Sequence, residues 1–352
     1  MTGQPIVGHP TEDPVQVPAE PVASAASQRR RRLLRDGWIF GVLVVIVIAF
    51  SIASSSFLTQ ANWLNTSSTA TEVLLLAVGQ TFVIITAGID LSVGAILGLS
   101  GMAGAWAMEH FFSGGGTPGG IVTAVGFIVA LLVGALVGAT NGVLIARWDI
   151  PPFVVTLGTL GIGTGLADLI SNGQEISSIP PLVGNIGNTN IAGWVPVPVL
   201  VAVLVAIVAG VILARTRWGA YTYSIGDSRE AAVRAGIDDR RHLFSVYTVS
   251  GLLAGLAGII VMTRLGAASP ASGADDELNA IAAVVIGGAS LFGGRGTVIG
   301  SVIGTCIISV LLTGLIIVNV PPFWQLVAVG VVLIAAVYVD QLGAQSAAGR
   351  ER

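Results

Sequence analysis

Side chains that could do chemistry are scarce in this chain of 352 residues. It contains three histidines, His9, His110 and His242, and one cysteine, Cys306. The histidines lie too far apart to have the spacing of metal ligands, and a lone cysteine cannot form an internal disulfide. All 16 basic residues are arginines, so the chain lacks the lysine that a Walker A phosphate-binding loop or a Schiff base requires. We therefore predict no catalytic residue, no metal site and no ATP-binding site in this chain.

The low charge content excludes an ordinary soluble protein. Charged residues make up 10% of the chain and hydrophobic residues 53%, with a net charge of −3. Soluble domains average about 25% charged residues. The composition therefore predicts a membrane protein surrounded by a lipid bilayer. Without a strong positive field, it gives no indication of a nucleic-acid partner.

The chain divides into three predicted parts. Residues 1–36 are rich in proline and end in a cluster of arginines, which predicts a disordered cytoplasmic tail. Residues 37–340 form the predicted transmembrane domain, with a cytoplasmic loop at 215–242, and residues 341–352 form a second cytoplasmic tail. Ten apolar segments are candidates for bilayer crossings, at 38–57, 70–87, 92–108, 121–146, 153–171, 197–214, 243–263, 279–292, 297–317 and 324–340.

The placement of arginines predicts that both termini lie in the cytoplasm. With ten crossings, 15 of the 16 arginines fall on the cytoplasmic side and only Arg264 falls outside. The predicted fold is an all-α polytopic membrane protein with about ten transmembrane helices. Two glycine-rich interruptions, at 87–94 and 287–296, predict broken or re-entrant helices in each half, as in transporters with an internal repeat.

The predicted cytoplasmic loop contains the capping residues typical of a short helix. Asp227 is placed as an N-cap, and Glu230 three residues later completes a capping box. Gly236 is placed to end the helix in a left-handed turn. Ala231 and Ala232 present a small surface that permits close approach. Because two helical turns are marginal alone in water, the segment must be held by its own membrane bundle, a partner protein, or both.

Residues 226–237 resemble the E-A-A-x-x-x-G coupling segment of ABC importer permeases. Further segments, at 88–94, 141–142, 150–158, 277–278, 280–288 and 293–297, resemble one branch of that family, the ribose/xylose/galactose-type monosaccharide permeases, which includes autoinducer-2 permeases. The resemblance covers about residues 38–340. Two departures are Ser228, where asparagine is common, and the Asp275-Asp276 pair, where glycine and an aromatic residue are usual.

The resemblance implies a non-enzymatic permease subunit of an ATP-driven sugar importer in the bacterial inner membrane. Its partners would be a second copy or a sister permease, two ATP-binding subunits that bind the ATP, and an extracytoplasmic sugar-binding protein. Transport would proceed by alternating access, driven through a coupling helix. The residues assigned to that helix are Gly226, Asp227, Glu230, Ala231, Ala232 and Gly236. The identity of the sugar stays open.

Six polar residues are candidates for the translocation path: Asp90, Ser92, Asn141, Thr156, Thr159 and Asp168. A carboxylate at membrane depth is costly and indicates function, but Asp90 could instead cap the helix that begins near Ser92. Asn141 and the two threonines could contact sugar hydroxyls or bond across helices. Glu72 is expected to be solvated at the outer end of its helix.

Two other classes of function fit the sequence less well than a permease subunit. An ion-coupled secondary transporter acting alone would use Asp90 and Asp168 as buried ionisable groups, but it would leave the 215–242 loop without a purpose. A polytopic membrane enzyme would require clustered His, Asp or Glu residues, and the sequence presents no such cluster.

Overall fold

The computed structural model describes residues 40–112 and 119–348, so the predicted tail at 1–36 lies outside the described residues. The described part is mostly helical, with one short two-stranded ribbon. Its helices are α1 (Phe40–Ala53), α2 (Gln60–Ile85), α3 (Val93–Phe112), α4 (Gly119–Trp148), α5 (Pro152–Ser171), α6 (Pro181–Asn188), α7 (Val197–Arg215), α8 (Arg217–Asp227), α9 (Arg229–Arg234), α10 (Asp239–Leu265), α11 (Asp276–Ile286), α12 (Val298–Ile317) and α13 (Pro322–Ala348). The last of these continues into the segment predicted as the C-terminal tail.

Each of the ten apolar segments coincides with a helix. Six helices in the described part are long and apolar enough to cross a membrane, namely α2, α4, α5, α7, α10 and α12. The eighth apolar segment is α11, which has only 11 residues and is therefore too short to cross a bilayer of about 30 Å. The number of crossings and the cytoplasmic placement of the termini stay predictions.

Two helices, α2 and α10, form the centre of the bundle. Every residue of α2 from Thr71 to Ile85 is buried, and α10 packs against α2, α3 and α4. A helix buried on all sides must be apolar all round, and the LLLAV run that begins at Leu74 meets this requirement. Helices α4, α5 and α7 instead expose many leucines, valines and isoleucines, as expected for surfaces that face lipid.

The backbones of α4 and α10 approach each other through glycines. A Cβ atom added at Gly134 would lie 2.4 Å from the carbonyl oxygen of Gly251, and one at Gly138 would lie 2.4 Å from that of Tyr247. Glycines four residues apart on each helix, including Gly255 on α10, form the small-residue seam that permits such close packing.

The two predicted interruptions begin in the same way. At the end of α2, Ala87 has a φ of 60° and the amide of Gly88 donates to the carbonyl five residues earlier at 3.0 Å. At the end of α11, Gly288 has a φ of 88° and the amide of Ala289 donates to the carbonyl five residues earlier at 3.1 Å. Both ends are Schellman motifs. The predicted break in each half of the chain is therefore present.

The long segment at 172–196 contains elements that the sequence did not predict. It holds α6, which starts at a proline in the favoured first helical position. It also holds an antiparallel ribbon of β1 (Asn190–Ile191) and β2 (Val195–Pro196). This ribbon and an isolated antiparallel bridge between Ile176 and Ala268 are the β structure within the described residues, and they add little to a helical protein.

Candidate coupling segment and buried polar network

The predicted coupling helix consists of two helices, α8 and α9, which meet at Ser228. The Ser228 side chain caps α9 by accepting a hydrogen bond from the amide of Ala231 at 3.3 Å. The prediction that Asp227 is the N-cap is wrong by one residue, because Asp227 is the last residue of α8. Glu230 therefore occupies the second helical position, where it pairs with Arg234 at 3.1 Å instead of completing a capping box.

The predicted stop at Gly236 is confirmed. Gly236 has a φ of 86°, and its amide donates to the carbonyl of Val233 at 3.0 Å. The amide of Ile237 donates to the carbonyl of Ala232 at 3.1 Å, which completes a Schellman motif. Glycine suits this position because it adopts a left-handed backbone without a Cβ penalty.

The inner face of α9 packs against the membrane bundle. Ala232 is 3% exposed and lies in a small apolar cluster with Ala146 of α4, Ile225 of α8 and Leu243 of α10. Ile237, just beyond the helix, packs against the same cluster. The bundle therefore holds this six-residue helix in place, and the small side chain of Ala232 permits the close contact.

Ion pairs fix the start of α9. The guanidinium of Arg229 donates to Asp239 of α10 at 2.6 Å and to Asp149 of the α4–α5 link at 3.1 Å. Partial burial lowers the pKa of Arg229, but the hydrogen bonds and charges of the two aspartates outweigh this and raise it above its ordinary value. Arg240 lies 3.8 Å from the second oxygen of Asp149. These contacts tie α9 to α10 and to the α4–α5 link.

The outer face of α9 is open. Glu230, Ala231, Val233 and Arg234 are exposed, and the side chain of Glu230 is 81% accessible. Val233 is 49% exposed, although it is an apolar residue next to a charged pair. Such a mixed surface on a firmly held short helix is suited to contact with another protein.

The α8–α9 segment also touches both interruptions. A Cβ atom at Gly226 would lie 1.7 Å from the carbonyl oxygen of Ile85 and 2.6 Å from the amide of Gly294. The hydroxyl of Tyr223 donates to the carbonyl of Gly296 at 2.7 Å. A single glycine thus contacts the end of α2 and the loop that follows α11. Sequence reasoning assigned Gly226 to the coupling segment but did not predict this contact.

A buried polar network closes the first interruption. One carboxylate oxygen of Asp90 accepts from the amide of Ser92 at 2.9 Å and from its hydroxyl at 2.5 Å. The other accepts from Ser250 of α10 at 3.2 Å. The side-chain amide of Gln80 donates to the carbonyl oxygen of Asp90. Three donors to one carboxylate explain how it is accommodated with no exposed surface.

The network continues into α4 and α5. Asn141 donates to the hydroxyl of Ser92 at 2.9 Å, and Thr159 donates to the side-chain oxygen of Asn141 at 2.6 Å. Thr156 donates to the carbonyl of Ile89 at 3.2 Å. The structure therefore brings together five of the six predicted path residues. Except for Thr159, they are fully buried. Asp90, Ser92, Asn141 and Thr159 bond to one another, and Thr156 bonds to backbone carbonyls.

Asp168 lies apart from this network. It is exposed near the end of α5, nine residues beyond Thr159, which places it on the opposite side of the helix because each residue advances by about 100°. Gln80 and Ser250 are network members that sequence reasoning missed. The sequence could have indicated both residues, since each is a polar residue within a long apolar helix.

An ion pair between Arg264 and the buried Glu72 joins α10 to α2. Arg264 donates to both carboxylate oxygens of Glu72, at 3.0 and 3.1 Å, and to the hydroxyl of Thr69 at 2.8 Å. The expectation that Glu72 is solvated is wrong, because the residue is 7% exposed.

Among residues 40–112 and 119–348, no three His, Cys, Asp or Glu side chains are grouped so that they could hold a metal ion.

Comparison with known proteins identifies the family. Residues 61–337 match the family model described as the permease component of branched-chain amino acid transport systems. The D-allose transport system permease protein of Escherichia coli (strain K12) is 37% identical, over 87% of this chain and 91% of the relative. The ribose import permease protein of Bacillus subtilis (strain 168) is 40% identical, over 85% of this chain and 90% of the relative.

The fructose import permease protein of Rhizobium meliloti is also 40% identical, over 85% of this chain and 83% of the relative. No solved structure matches the chain. The similarity includes both interruptions, the polar network and the α8–α9 segment, all of which lie within the matched residues. The chain therefore belongs to this family of transport-system permease components and is a multi-pass membrane protein.

Proposed function

We propose that the chain is the membrane permease subunit of an ABC importer for a monosaccharide, driven by a separate ATPase that docks on α9. The observation that carries this proposal is the position of α9. Its outer face is open, while its inner face and the adjoining Gly226 contact α4, α10 and both interrupted segments. A force applied to α9 from outside therefore acts on the places where the membrane helices are broken.

A monosaccharide is the substrate class that the relatives favour. Although the family description names branched-chain amino acids, the three relatives compared above are named for allose, ribose and fructose. All three are monosaccharides. They differ from one another, so the proposal extends to the class and not to one sugar.

The proposed mechanism uses alternating access. Closure of two ATP-binding subunits would pull α9, and Gly226 would transmit the movement to Ile85 and Gly294. A cleft of about 380 Å³ between the α8–α9 junction and the α4–α5 link gives the junction room to move. The Asp90 network would keep the start of α3 fixed to α4 and α5, so that these helices move together. A second permease subunit would complete the path, and an extracytoplasmic sugar-binding protein would deliver the sugar.

The buried position of Asp90 argues against a transporter that acts alone. An ion-coupled carrier needs an ionisable group that solvent and ion can reach, whereas Asp90 is fully buried and accepts three hydrogen bonds. Uptake by liposomes that contain this chain alone and an ion gradient would support the carrier and contradict the subunit function.

The coupling role is tested by reversing the charge of Glu230. We expect Glu230→Arg to abolish ATPase association and ATP-driven sugar uptake in proteoliposomes, because the residue lies on the exposed face of α9. The thermal unfolding midpoint should stay within about 2 °C of wild type, since an exposed ion pair contributes little stability. Glu175→Arg, an equal charge reversal on an exposed residue of the predicted outer segment, is the matched control. Normal uptake by Glu230→Arg would contradict the coupling role.

A further inference from the structure

An apolar groove lies between α7 and α12, on the outside of the bundle. It has a volume of about 520 Å³. Its wall on α7 is formed by Val203, Ile207, Gly210 and Val211, and Leu74 of α2 contributes to the same lining. The residues on α7 recur every three or four positions and therefore share one face of the helix.

The length of the groove matches one leaflet of a bilayer. The lining residues of α7 run from Val203 to Arg215, a stretch of about 18 Å at about 1.5 Å per residue. Half of a hydrocarbon core of about 30 Å is about 15 Å. The groove is therefore about as long as one leaflet and ends where α7 leads into α8.

The lining of the groove suits a hydrocarbon chain. Apart from Arg215, Tyr223 and Thr297, every residue that lines it is apolar or glycine.

The mouth of the groove carries a positive charge. Arg215, the last residue of α7, lines it, and in the described part of the chain no carboxylate lies within ion-pair distance of Arg215. The first turn of α12, with Val298 and Ile299, lies at the same end and adds the positive end of a helix dipole. An apolar slot that opens at an unneutralised arginine is complementary to a lipid with a negative headgroup.

We propose that this groove binds one acyl chain of an anionic phospholipid, whose phosphate pairs with Arg215. The lipid would fill the space between α7 and α12 next to Tyr223, the residue that bonds to the second interruption. The proposal concerns a lipid site and does not depend on the identity of the transported sugar.

Native mass spectrometry of the full-length permease tests the proposal. The protein would be extracted from nanodiscs that contain phosphatidylglycerol or phosphatidylcholine, and the retained lipids counted. We expect wild type to keep one more phosphatidylglycerol per chain than Gly210→Leu, which fills the groove. Arg215→Gln should weaken retention about fivefold, the effect of one basic residue near an anionic headgroup. Gly330→Leu on α13, where a Cβ atom would meet nothing within 4 Å, and Arg147→Gln are the matched controls.

A second groove-filling variant controls for misfolding of Gly210→Leu. Val211→Phe fills the groove from its open side, since Val211 is exposed, and it should reduce lipid retention as Gly210→Leu does. Equal retention of both lipids by wild type, or unchanged phosphatidylglycerol in the two filling variants, would overturn the proposal. So would conversion of a permease dimer to monomers by Gly210→Leu, because the groove would then be a subunit interface.

Discussion

The carbonyl oxygen of Ile85 accepts a hydrogen bond from the amide of Gly294 at 2.9 Å. This bond joins the end of α2 to the loop between α11 and α12, although the two residues are far apart in sequence. Gly226 lies against both groups. The two interruptions and the α8–α9 junction therefore meet at one point, where a displacement of any one of them changes the contacts of the other two.

A methyl group at Gly226 should separate these three segments. Because the added Cβ atom would meet the Ile85 carbonyl at 1.7 Å, we expect Gly226→Ala to lower the free energy of unfolding by about 1–3 kcal/mol and to abolish uptake. Thermal unfolding in detergent and sugar uptake in proteoliposomes measure the two effects. Gly330→Ala, at a position with open space around it, should leave both unchanged. Wild-type stability and uptake in Gly226→Ala would refute the contact.

Substitutions at Ser228 and Asp227 test which of the two residues caps α9. We expect Ser228→Ala to increase hydrogen exchange of the α9 amides about fivefold, because loss of an N-cap costs about 1 kcal/mol. Asp227→Ala should leave that exchange unchanged, since Asp227 belongs to α8. The measurement is exchange resolved to α9 peptides. A larger effect of Asp227→Ala would restore the capping pattern expected from sequence.

Asp90 variants separate a structural role from a role in the path. Asparagine keeps one acceptor for Ser92 and can donate to Ser250, so Asp90→Asn should retain both the unfolding midpoint and uptake. Asp90→Ala leaves buried donors without an acceptor and should destabilise the protein by at least about 2 kcal/mol. If Asp90→Asn unfolds normally but no longer transports, the carboxylate itself acts on substrate or ions.

The ion pair of Glu72 and Arg264 should behave as a unit. Arg264→Leu leaves the buried carboxylate of Glu72 without its partner and should destabilise by about 3–5 kcal/mol. Glu72→Leu leaves Arg264, whose side chain is 25% exposed, and should destabilise less, with the double variant well below the sum of the two. A double-mutant cycle in detergent measures this coupling. The exposed pair of Glu230 and Arg234 is the comparison, with a coupling of at most about 1 kcal/mol. Additive effects of the two single variants at Glu72 and Arg264 would show that the charges do not interact.

Long apolar runs predicted the membrane helices because burial in lipid leaves few alternatives to a helix. The glycine-rich interruptions were also predictable, since a left-handed turn at Gly288 and a close contact at Gly226 each require a small residue. The exact cap of α9 was not predictable, because Asp227 and Ser228 are both strong N-cap types and the choice depends on where α8 ends.

Contacts across the bundle account for the remaining errors. The burial of Glu72 depends on Arg264, which lies 192 residues away. The place of Ser250 in the network depends on the register of α10 against α2. Helical geometry alone could have separated Asp168 from Thr159, so that separation was within reach of the sequence. The roles of these residues in transport stay predictions.

The glycine seam between α4 and α10 limits which parts of the molecule can rearrange. Backbone lies against backbone at Gly134 and Gly251, so no side chain there can change rotamer to accommodate sliding. Helices α4 and α10 should move as one rigid unit throughout a transport cycle. Shear and tilt are then left to elements outside the helices that the Asp90 network joins, chiefly the short α11, and sequence change at the seam should be tolerated less than anywhere on the lipid-facing surface.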